Sequence, residues 1–115
     1  MRIHHLAFRT HDLPRLERFY VSVLGLAVKR RDERRSVWLA IGDAVLMLEQ
    51  AGENEASPPA GSMELVALAV TAVDRDHAVK DLHAQGVSIE ARTAHTIYFR
   101  DPDGRRVGLS DHPLA

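Results

Sequence analysis

Histidine, arginine and the acidic residues carry whatever chemistry this chain can do, because it has no cysteine among its 115 residues. Thiolate metal sites, disulfides and cysteine nucleophiles are therefore excluded. Of the seven histidines, His5 is the best placed, in the strand-like run IHHLAFR, where a neutral imidazole can ligate a divalent ion or accept a proton. Strict alternation turns His4 to the opposite face, His11 precedes a helix cap, His77 and His83 fall on a helix, and His95 and His112 flank strands, all of which read as surface positions. No HxxxH or HExxH spacing places two imidazoles on one helical face, and neither a glycine-rich phosphate loop nor a GxSxG turn is present. The aspartates of Asp101-Pro-Asp-Gly104 resemble an acid pair, but Asp and Gly around Pro are what a tight turn requires.

The elements that must position these groups follow from periodicity. Residues 3–9 alternate as a strand with Leu6 and Phe8 on one face and His5, Ala7 and Arg9 on the other. A helix is predicted from an Asp12 N-cap, with Pro14 in its first turn, to Gly25 as the left-handed C-terminal residue. Leu16, Phe19, Tyr20, Val23 and Leu24 form its apolar stripe. Strands follow at 27–31, 36–41 and 44–49. Residues 51–61, AGENEASPPAG, have the composition of a linker. Beyond it the order returns: a strand at 64–70, a helix at 73–85, then strands at 87–91, 96–99 and 106–110. Both copies run from a helix through glycine directly into a strand, in FYVSVLGLAV and LHAQGVSIEA. The predicted class is α+β, a single domain over 1–115 built of two βαβββ modules (1–50 and 62–115) whose mixed sheets share a core.

Composition agrees with an ordinary globular domain, at 45% hydrophobic and 27% charged residues, and the net charge of -1 gives no drive toward nucleic acid or an anionic membrane. The cluster Lys29, Arg30, Arg31, Arg34 and Arg35 is interrupted by Asp32 and Glu33 and reads as a solvated turn. With no signal peptide or long apolar span, the expected location is the cytoplasm.

The motifs HHLAFRTHDLPRLERFYVSVLGL and YFRDPDGRRVGL, spanning nearly the whole chain, resemble the vicinal oxygen chelate superfamily of glyoxalases, bleomycin-resistance proteins and extradiol dioxygenases. The resemblance implies paired modules whose sheets curl into a ligand-holding cup, usually completed in a homodimer. A chain of this length also has little means of covering two sheets alone. Metal-using members hold a divalent ion at four equivalent positions, which here would be His5, Met47, Leu65 and Gly108, the last standing where those members usually carry Glu. One imidazole and one thioether fall short of the three N or O donors that a hard or borderline ion needs, so no metal is expected and His5 is the only candidate ligand. Glu49, or Glu64 after a one-residue slip, leaves a displaced site conceivable.

Alternation makes a cup face of His5, Arg9, Trp38, Met47, Glu49, Leu65 and Tyr98, among small residues such as Ala7, Ala67, Ala69 and Gly108. Arg106 and Ser110 fall on the same face. Flat walls, open volume and a few polar groups describe a small-molecule site, with those seven side chains as the binding set. Two functions stay open. One is a metal-free binding protein of the bleomycin-resistance type, holding a flat, partly apolar ligand in a cup shared between subunits. The other is an enzyme: a metal-dependent lyase, isomerase or dioxygenase rebuilt around His5, or a metal-free one with His5 as base and Arg9 or Tyr98 stabilising an oxyanion.

Overall fold

The computed structural model describes residues 1–115 as two compact units, Met1–Ser57 and Pro58–Ala115. The division falls inside the stretch of linker composition.

The first unit contains β1 (His5–Thr10), α1 (Leu13–Glu17), a π-helical segment (Arg18–Val23), β2 (Val28–Asp32), β3 (Ser36–Ile41) and β4 (Ala44–Gln50). Its sheet has the order β1-β4-β3-β2, with β1 parallel to β4 and the other pairs antiparallel. Asp12 caps α1 through an Oδ1 that accepts the Arg15 N–H at 3.1 Å. The predicted single helix instead widens after Glu17, where the Leu24 N–H reaches back five residues to the Phe19 carbonyl at 3.0 Å. Its inward face is the predicted one, since Leu16, Phe19 and Tyr20 are buried and the Phe19 and Tyr20 rings meet edge to face. Gly25, at φ +79, ends it in the left-handed conformation that a side chain would strain. The charged turn after β2 places Glu33 and Arg34 both at positive φ, a two-residue hairpin closed by the Arg35 N–H on the Asp32 carbonyl.

The second unit repeats the plan with β5 (Leu65–Ala69), α2 (Ala72–Ala84), β6 (Ala91–Arg92), β7 (Thr96–Arg100) and β8 (Arg106–Ser110). Its order is β5-β8-β7-β6, again with the first strand parallel to the last. Thr71 caps α2 by accepting the Asp74 N–H, and the helix buries Ala78 and Leu82 one turn apart. The strand predicted at 87–91 shrinks to Ala91–Arg92. The Val87 N–H is held by the Leu82 carbonyl at the end of α2, so 87–89 follow the helix end and pairing with β7 starts only at Glu90. Together with His83, Gly86 and Arg92 they line an open surface hollow of about 530 Å³.

Alternation identifies most of the core on the central strands, where Val37, Leu39, Leu46, Leu48, Ile97, Phe99, Val107 and Leu109 are buried, while Ile41, expected there too, is only half-buried at the end of β3. On β1 and β5 it overstates burial. Leu6, Phe8, Val66 and Leu68 are only half-buried, because each of these strands has a neighbour on one side alone. The DPDG segment makes the predicted hairpin: Asp101 Oδ1 accepts the N–H groups of Asp103 and Arg105 at 2.9 and 3.0 Å.

Candidate functional site

Register lines the cup-face residues of the first unit into rows across its sheet. One row is Ala7, Met47, Trp38 and Arg30; the next is Arg9, Glu49, Ser36 and Asp32; His5 lies in a third with Val45 and Ala40. Cross-strand neighbours of this kind touch, so Trp38 and Met47 form one apolar step. The Trp38 indole N–H donates to Ser36 Oγ at 3.3 Å, and the Arg30 guanidinium lies 4.8 Å from the ring centroid, covering one indole face. Trp38 and Met47 are half-buried and His5 is exposed.

Two side chains sit differently from the sequence expectation. His4 does not turn away from His5; their Nδ1 atoms lie 2.9 Å apart and the rings meet edge to face. The reason is that β1 begins at His5, so His4 lies outside the strand and strand alternation does not govern it. Arg9 is on the cup face but already engaged, donating from Nε and Nη2 to the two oxygens of Glu55 at 2.9 and 2.7 Å, with Glu49 at 3.8 Å. Residues 51–57 are thus tied to β1 rather than idle, and His11 Nε2 adds a 2.7 Å contact to the Glu55 carbonyl.

The Arg9 hydrogen bond, helped by the Gly52 N–H, lowers the Glu55 carboxyl from 4.5 to about 2. A carboxylate whose folded pKa is depressed contributes stability that is complete above its unfolded value and is lost as pH falls through the folded one. Acid titration is therefore expected to release the 51–57 segment between pH 4.5 and about 2, a step that Glu55→Gln abolishes. Because the pair is partly exposed, added salt should weaken it, and backbone amide shifts of Gly52 and Glu55 report the release.

In the second unit the rows are Leu65, Arg106 and Arg100; Ala67, Gly108, Tyr98 and Ala91; and Ala69, Ser110 and Thr96. Leu65 is exposed and Tyr98 half-buried. Tyr98 lies under the Arg106 guanidinium, 4.2 Å from its ring centroid. Arg100 binds both oxygens of Glu90, at 2.5 and 2.9 Å, and this hydrogen bonding holds the Glu90 carboxyl below its usual range. At the ends of β7 and β8, Asp111 Oδ1 meets Arg75 Nη1 at 2.5 Å and His95 Nδ1 at 3.1 Å, and Arg75, which also donates to the His95 carbonyl at 2.9 Å, fastens the start of α2 to the strand ends. Burial raises the Asp111 carboxyl, but the His95 hydrogen bond and the Arg75 charge carry it below its usual value.

The four family metal positions can be tested against these surroundings. The second unit supplies no donor at all, since Leu65 is apolar and a Cβ on Gly108 would stand 3.3 Å from the Ala67 Cβ and 3.5 Å from Leu65 Cδ1. The first unit supplies one imidazole and one thioether. No group of three or more His, Asp or Glu side chains that could hold a metal ion is present in the chain. The donor set does not fit a divalent ion.

Sequence reasoning put Arg106 on the right face without assigning it to the site. Its neighbour Arg105 turns the other way, to Asp101 and Asp103 at 3.3 and 3.1 Å. Arg105 lies in the turn just before β8, so its direction follows from the Asp101 turn, whereas Arg106 is the first residue of the strand and alternation governs it. No helix of the chain is long and apolar enough to cross a membrane.

Comparison with solved structures shows the same fold in proteins of several activities. The fosfomycin resistance protein FosX from Mesorhizobium loti superposes with a TM-score of 0.82 at 20% identity, covering 98% of this chain and 93% of that one. Lactoylglutathione lyase from Agrobacterium tumefaciens gives 0.71 at 22% identity over 95% and 92%. An integron cassette protein from the mobile metagenome of V. cholerae gives 0.73 at 28% identity over 96% and 94%. The family model matches residues 2–109, and with the tandem βαβββ units it establishes that this chain belongs to the Glyoxalase/Bleomycin resistance protein/Dioxygenase superfamily.

Proposed function

We propose that the chain is a small-molecule-binding protein of the glyoxalase and bleomycin-resistance type, acting as a homodimer in the cytoplasm and holding a flat, partly apolar ligand against its cup faces without a metal. The observation that carries this reading is the set His5, Met47, Leu65 and Gly108, which offers a single imidazole nitrogen and otherwise apolar groups where metal-using relatives would offer several oxygen and nitrogen donors. In the first unit Trp38 and Met47 form an apolar surface beside the small Ala7, and in the second Tyr98 and Leu65 flank the small Ala67 and Gly108. Fosfomycin resistance proteins and a lactoylglutathione lyase share the fold, so the scaffold accommodates both resistance and catalysis, and the site decides between them.

Two measurements test the reading. Elemental analysis of the purified protein should find well under one divalent ion per chain, and a chelator should leave the melting temperature unchanged, because an ion bound only by the folded state raises its stability. Flat aromatic ligands should perturb the emission of Trp38, the single tryptophan. Stacking on the indole adds about 0.5–1.5 kcal/mol beyond area burial, so Trp38→Ala should weaken such ligands roughly 2- to 13-fold. Stoichiometric zinc, nickel, manganese or iron that is lost on His5→Ala would replace this function with a metal-dependent one.

A further inference from the structure

The two units carry opposite local charge on their cup faces. In the first, Arg9 stands between two carboxylates, Glu49 and Glu55, the latter in a two-point hydrogen bond, and Arg30, over Trp38, already donates to Asp32 at 2.9 Å. An incoming anion would have to displace Glu55 and meet Glu49. In the second unit two guanidiniums, Arg100 and Arg106, share the single carboxylate of Glu90, and Arg100 takes both of its oxygens. Arg106 is left with an ion-pair contact of 3.5 Å to Glu90 Oε1 and makes no hydrogen bond with it, although its Nε is fully buried and its side chain only 13% exposed. A buried guanidinium N–H whose nearest acceptor stands at 3.5 Å is poorly satisfied, and a charged acceptor supplied to the guanidinium offsets part of that cost. Its Cζ lies 4.2 Å from the Tyr98 ring centroid, so the ring covers one side of the guanidinium.

We propose that Arg106, seated on Tyr98, is the anion-binding group of the cup face and takes a carboxylate, phosphonate or phosphate group of the ligand, in place of Arg9. This rests on the reading that the cup face binds a small molecule. The ligand class is then a flat aromatic or partly apolar acid whose oxyanion lies beside Tyr98 and Leu65. Leu65, exposed and in register with Arg106, supplies apolar surface next to the charge.

The test uses 2-naphthoate and its neutral counterpart 2-naphthamide, titrated calorimetrically at low salt into the wild type, Arg106→Gln and Arg9→Gln. The wild type should prefer the acid by about tenfold or more. Arg106→Gln should erase that preference while binding the amide within about twofold of wild type, and Arg9→Gln should keep the preference. In parallel, the Arg106 Nε–Hε resonance of the wild type should move with naphthoate and stay still with naphthamide, a readout independent of how well the variants fold. Equal wild-type affinity for both probes, a preference lost in Arg9→Gln but kept in Arg106→Gln, or an unmoved Nε–Hε resonance overturns the assignment while leaving ligand binding intact. If neither probe binds the wild type, both this inference and the proposed function fall.

Discussion

Replacing Asp101 with alanine is expected to destabilise the protein by about 3–5 kcal/mol, the range for removing one partner of a buried charged pair. The Asp101 side chain is fully buried, and its Oδ1 accepts two backbone N–H groups while Oδ2 lies 3.3 Å from the Arg105 guanidinium. Alanine leaves those donors unsatisfied inside the hairpin that joins β7 to β8, and Arg105, itself only 14% exposed, keeps Asp103 alone among these two aspartates. Asp101→Asn should cost less, because an amide oxygen can still accept from the two N–H groups. Urea unfolding of the three proteins decides the matter: an alanine variant within about 0.5 kcal/mol of wild type would mean that the hairpin does not depend on this side chain.

Phe99→Ala is expected to cost a similar amount, about 3–5 kcal/mol, by a different route. Phe99 is wholly buried on β7, and its register partner on β8 is Val107, also buried. The second unit has few other buried apolar residues to close over the space, chiefly Ile97, Leu109, Ala78 and Leu82. Phe99→Leu should lose much less, since it retains most of the volume. Because no polar group is left unpaired, the penalty should be the same at low and high salt. The Asp101→Ala penalty contains an electrostatic part; thermal unfolding at two ionic strengths separates the two mechanisms.

The fold was legible in this sequence to the extent that local rules govern it. Alternation alone sends Trp38 to one face and Leu39 to the other, and the second βαβββ unit is visible because its order repeats. The π-helical segment was not legible, since Leu16, Phe19 and Tyr20 point inward whether the hydrogen bonds span four residues or five. The strand expected at 87–91 failed because Val87 and Ile89 alternate properly but the Val87 N–H goes to Leu82. His4 failed because alternation was extended one residue past the end of the strand. Within the candidate site, the faces of His5, Arg9, Met47, Glu49, Leu65 and Tyr98 follow from period two, whereas their partners do not. That Glu55 binds Arg9, or that Arg100 takes both oxygens of Glu90 and leaves the Arg106 Nε only a 3.5 Å contact, depends on which of several charges reaches first across a turn or between strands. Sequence composition is silent on that choice.

The parallel outer strands have a consequence in time. In each unit the first strand made hydrogen-bonds only to the last: His5–Thr10 to Ala44–Gln50, and Leu65–Ala69 to Arg106–Ser110. At a synthesis rate of about 5–20 residues per second, the first strand emerges roughly 2–8 seconds before its only partner is complete. During that interval β2 and β3 can zip as a hairpin, but the nascent edge HLAFRT has nothing to dock on. Each unit can therefore complete its sheet only after its last strand is made, and a pause in translation before Ala44 or Arg106 prolongs the period in which a bare strand edge is open to the wrong neighbour.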